Sequence, residues 1–179
     1  DYAEAKELLL RAVGEYPHNL GEGKLESGQE NNLYYLLGLV QEKLGEAKDA
    51  FESLTRACCG ESEPVGMMYY NDQPPEMIYY QGLAYRMLGE EEQAVRRFQK
   101  LVDYGREHIR DDVKIDYFAV SLPDLLIFEE NLNERNRKHC LFMMSLGLKG
   151  LGRIDEAEKC AEELLAMDNA HQEIRVHDL

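Results

Sequence analysis

The chain has 179 residues, 31% of them charged, and 35 acids against 20 Lys and Arg give a net charge of −15. Such a surface repels polyanions, so nucleic acid and anionic lipid are excluded as partners unless a local basic patch exists, and none is visible. No apolar run approaches the roughly 20 residues of a membrane span, and the absence of Trp with only five Pro suits an all-helical chain.

In chain order, an amphipathic opening predicts a helix over residues 2–15, followed at 19–28 by a Gly-rich polar loop with no packing face. A helix is expected over 31–44, closed by Leu44-Gly45, and another over 47–59. The same punctuation returns at Leu88-Gly89 and Leu151-Gly152, which predicts helix pairs over 75–88 with 91–105 and over 137–151 with 154–167, then a closing helix at about 171–179. Each of these glycines is expected to end its helix in the left-handed conformation that side chains resist.

The flanks of the three Leu-Gly sites repeat as well. A small residue (Gly38, Gly82, Ser145) stands seven before the Gly and an Ala (Ala50, Ala94, Ala157) five after it. Apolar residues follow at fixed offsets: Leu54, Phe98 and Ala161, then Ala57, Leu101 and Leu164. Small residues at those places let two antiparallel helices cross at close range. This frame resembles the tetratricopeptide repeat, a helix-turn-helix unit of about 34 residues. The N-terminus carries a fragment of it, because Ala5, Leu9, Ala12 and Pro17 fall on second-helix positions without a first helix. The resemblance implies antiparallel helix pairs stacked as a right-handed superhelix, with long insertions between repeats. One array then covers 1–179: a partial repeat at 1–17, repeats at about 31–64, 75–107 and 138–170, and the closing helix.

Successive Leu-Gly sites are 44 and 63 residues apart, so against about 34 per repeat the spacers carry insertions of about 10 and about 29 residues. The first, 65–74, holds Tyr69, Tyr70, Asn71 and Asp72, which could stack on a sugar or planar ligand and bond its edge; the plainer reading tucks its rings against neighbouring helices. The second, roughly 108–137, contains the most apolar loop of the chain, from Ile115 to Phe128. So much apolar area is expected to seek a surface.

The resemblance places first helices along a concave groove, and equal offsets in each copy give Tyr35, Tyr79 and Phe142, then Leu39, Leu83 and Leu146. Family members that clamp a C-terminal carboxylate carry Lys, Asn and Arg there; this chain has Asn32, Glu76, His139 and the aromatics instead. The groove is therefore expected to bind an apolar segment of a partner, or to be filled by 115–128.

No active-site motif emerges. Five dispersed histidines (His18, His108, His139, His171, His177) form no metal or nucleophile spacing, and His171 and His177 are expected at the surface or as caps. Asp111, Asp112 and Asp116 lack the glycine and terminal Glu of a calcium loop. Cys58, Cys59, Cys140 and Cys160 make no CxxC pair and are expected as buried reduced thiols in the cytoplasm. Cofactors and metals are not expected. Segments 71–77 and 115–124 also resemble the C-terminal tetratricopeptide part of large bacterial proteins with a β-rich N-terminal domain of carbohydrate-related role, and an opening in mid-repeat suggests a piece of something larger. The expected function is a non-catalytic protein-interaction or domain-packing scaffold, with a protein segment, an N-terminal domain of the same protein or a second copy as partner. The alternative is the accessory part of a carbohydrate-active bacterial enzyme.

Overall fold

Helix is the only regular structure among the described residues, 1–14, 29–66, 72–114 and 131–178 of a computed structural model. The elements are α1 (Tyr2–Gly14), α2 (Asn31–Lys43), α3 (Ala47–Ala57), α4 (Pro75–Met87), α5 (Glu91–His108), α6 (Leu132–Gly150), α7 (Ile154–Met167) and α8 (Gln172–Val176). None is long and apolar enough to cross a membrane.

The three Leu-Gly turns share one geometry. Gly45, Gly89 and Gly152 have φ of 79°, 83° and 74°. The residue after each donates its N–H five residues back: Glu46 to Gln41, Glu90 to Tyr85 and Arg153 to Leu148, all at 2.9 Å. This closes orphan carbonyls at the helix end and reverses the chain within three residues, so α2 packs along α3, α4 along α5 and α6 along α7. Each first helix also meets elements of the preceding unit: α2 packs on α1, α4 on α2 and α3, and α6 on α4 and α5.

Second helices bury one stripe and expose the rest. Ala50, Leu54 and Ala57 face inward on α3; Ala94, Phe98, Leu101 and Val102 do so on α5, and Ala157, Ala161 and Leu164 on α7. The spacing is the helical i, i+3, i+4 pattern. By contrast α6 is enclosed almost all round, every residue from Cys140 to Leu148 being buried. The main core joins α4, α5, α6, α7 and α8, and a smaller one gathers Leu54, Ala57 and Ala84. No residue of α1 is buried.

Three boundaries differ from expectation. Helix α6 begins at Leu132 rather than 137, because the Asn131 carboxamide accepts from the N–H groups of Asn133 and Glu134 at 3.1 and 3.2 Å and caps the helix five residues early. Helix α5 runs on to His108, its end held by Asn136 Nδ2 donating to the His108 carbonyl at 2.7 Å. The closing helix is only five residues long, since His171 is its N-cap and Asp178 turns left-handed at φ 50°.

Candidate interaction groove

The predicted groove residues come together only in part. Tyr79, Phe142 and Leu146 are buried, the last completely, and Leu83 packs against the same core; Tyr35 and Leu39 are half-buried. What links them is a run of rings. Tyr35 of α2 lies 5.5 Å from Tyr80 of α4, Tyr80 lies 5.7 Å from His177, and His177 lies 5.9 Å from Phe142 of α6, between ring centroids. Behind it Tyr79 touches Tyr80, His177 and Phe98 at 5.8, 6.0 and 5.7 Å, and His171 lies 5.3 Å from Phe142. Tilted and edge-on rings at these separations are favourable contacts.

Two members of this run were not among the predicted groove residues. Tyr80 stands one residue after the predicted Tyr79, and the doubled tyrosine at 34–35 and 79–80 was the available signal. Both terminal histidines are caps, as one of the two expected roles had it: His171 is the N-cap of α8, its Nδ1 accepting from the Ile174 N–H at 3.4 Å, and His177 is the C-cap, though buried at 8% exposure.

Burial governs the electrostatics. It pushes the Tyr79 phenol up to about 12, with help from Tyr35 and Tyr80, and raises Tyr35 and Tyr80 too. These hydroxyls stay neutral and available as donors. Glu76, in the first turn of α4, is pushed up to about 7 by burial first and by Glu173 of α8 second. The His177 Nδ1–H donates to the Glu173 carbonyl at 2.8 Å, and Nε2 is buried with no hydrogen-bond partner among the described residues.

A family model described as tetratricopeptide repeat matches residues 76–104, the α4–α5 pair. No solved structure matches the chain. The matched pair carries Tyr79, Tyr80 and Leu83 on its first helix, and Ala94, Phe98 and Leu101 on its second. Together with the helical architecture this supports a tetratricopeptide-repeat protein, a class that generally mediates protein–protein contacts without catalysis.

The other sequence-predicted residues fare unevenly. Tyr69, Tyr70 and Asn71 lie outside the described residues, as does the whole 115–128 segment; Asp72 is half-buried. Asn32 is half-buried, its carboxamide oxygen accepting from the Leu33 N–H at 2.8 Å. His139 bonds the Val65 carbonyl at 2.8 Å, and burial holds its imidazole below the usual histidine range. Asp111 pairs with His108 at 2.6 Å, and Asp112 accepts from Asn133 Nδ2 at 3.3 Å. All four cysteines are free, and burial drives the Cys58 and Cys140 thiols up to about 12, far from the reactive thiolate. Cys59, expected to be buried, is exposed. A cleft of about 340 Å³ opens between α1, α2 and α3, where Lys6 pairs with Glu46 at 2.6 Å and Arg56 stacks over Tyr34.

Proposed function

We propose that the chain is a non-catalytic interaction scaffold. Its helix pairs run as one array over 1–179 and wind right-handedly, and the face of α2, α4 and α6 receives a short segment of another protein or of another domain of the same protein. The observation that carries this reading is the ring run from Tyr35 through Tyr80 and His177 to Phe142, which spans three successive first helices. Rings give a large, stiff contact area at little conformational cost, which is what a peptide groove requires. The net charge of −15 directs the choice toward neutral or basic segments and away from nucleic acid and anionic membranes. The thiols driven far up by burial fit a reducing cytoplasm, and the resemblance to large bacterial proteins supplies the setting.

The test is selection of helical twelve-residue peptides on the full chain. Leu39→Asp, on the proposed face, is expected to weaken the selected peptides at least tenfold, while Phe51→Asp, on an exposed α3 residue, leaves them unchanged. The opposite pattern would move the binding face to the second helices and overturn the proposal.

A further inference from the structure

The ring run is already in use, because α8 lies on it. Ile174 is completely buried in the main core, and three positions on, His177 sits among Tyr79, Tyr80 and Phe142. Residues three apart share one helix face, so α8 presents an aliphatic anchor and a flat ring side by side. Lys149 of α6 fastens the end of this segment, its ammonium donating to the carbonyls of His177 and Asp178, the latter at 3.0 Å.

Two observations show that this occupant fits imperfectly. The His177 Nε2 is buried with no hydrogen-bond partner among the described residues, a condition that native interiors seldom tolerate. Glu173 brings a second negative charge near the half-buried Glu76 of α4. Beyond α8 the same ring run continues to Tyr35 and Leu39, which stay half open. The seat is longer than the five-residue helix that occupies it.

We infer that α8 is a built-in occupant of the groove, and that the partner is a short helix of the same chemistry, an aliphatic side chain followed three positions later by a flat ring, which binds by displacing it. This rests on the groove reading above. The tether from α7 is residues 168–171, and so short a link holds α8 near its seat at an effective concentration in the millimolar range. An outside helix gains by reaching the Tyr35 end and by presenting no carboxylate to Glu76. Its apparent affinity is lowered by the fraction of molecules in which α8 is seated.

A fluorescein-labelled peptide with the sequence of residues 169–178 tests this on full-length proteins: the parent, Ile174→Ser and His177→Ala. Both variants are expected to bind it at least tenfold more tightly than the parent, and Lys149→Ala added to Ile174→Ser is expected to abolish the gain. Amide exchange in α4 to α7 reports whether the fold persists, and His177→Ala decides the matter if Ile174→Ser loosens the core. Equal affinity for all three proteins, or no binding to either variant, overturns the inference. Selected groove peptides that bind parent and α8 variants alike would leave the scaffold reading standing and remove only the built-in occupant.

Discussion

Phe98 is the residue on which the closest packing converges. Its ring meets Gly82 of α4 and Gly150 of α6, where any added Cβ would collide with it, and the guanidinium of Arg86 stacks 5.0 Å from it. Gly147 is tighter in kind, because a Cβ there would stand 2.6 Å from the Phe98 carbonyl oxygen and 2.7 Å from Val102. A ring can tilt; a carbonyl inside a helix cannot. Gly147→Ala is therefore expected to cost about 1–3 kcal/mol despite the better helix propensity of Ala. That lowers Tm by several degrees for a chain of this size. Gly14→Ala, with open space around it, serves as the control and is expected to leave Tm unchanged. Calorimetry of the pair decides, and equal melting of Gly147→Ala and the parent would refute the α5–α6 contact.

Between elements, the buried Glu76 of α4 carries one pH dependence. Glu76 holds its proton up to about 7, against about 4.5 in the unfolded chain, mainly because it is buried and then because Glu173 faces it. The folded state binds the proton more tightly, so this contribution is complete below pH 4.5 and fades as the pH rises through 7. At about 1.4 kcal/mol per unit the swing is at most roughly 3.5 kcal/mol. His139 works in the other direction: burial depresses its imidazole, so its contribution is present above pH 6.5 and is lost as the pH falls. Glu76→Gln removes the first slope alone. Thermal melts at pH 5 and pH 8 are expected to show the variant more stable than the parent at pH 8 and similar at pH 5; parallel profiles would exclude the buried carboxyl.

At this scale the reach of the sequence is also plain. The Leu-Gly sites and their flanks placed six of the seven long helices, α2 to α7, because a left-handed turn and a close crossing each require a particular residue type, and α1 was read from its amphipathic opening. Gly38 and Gly82 lie against Leu54 and Phe98 of their own second helices, as the frame demands. Gly105 and Gly147 escaped notice because they serve the α5–α6 contact between units, and that contact occurs once and leaves no repeat to read. For the same reason the seat of α8 on Tyr79, Tyr80 and Phe142 was not legible: a five-residue segment has no periodicity, and what binds it is shape formed by two other helices, α4 and α6.

Over the molecule as a whole, burial is unequal from end to end. The described core spans α4 to α8, α2 and α3 contribute fewer buried side chains, and α1 contributes none. In a stack held by neighbour contacts, local stability follows local burial. Amide exchange is expected to be fastest in α1, intermediate in α2 and α3, and slowest in α5 and α6. Uniform protection from α1 to α6 would mean that the stack unfolds as one cooperative block.

That inequality gives the molecule a direction under load. Tension applied at residue 1 meets α1 first, tied to the rest through its packing on α2 and the Lys6–Glu46 ion pair, so it peels away at low force and settles back when slack returns. Pulled from the other end, the chain first surrenders α8 and its Lys149 clasp, then meets α7, which is packed on the enclosed α6. The protein is a soft spring at one end and a stiff strut toward the other, and a partner tethered to either terminus would feel that difference.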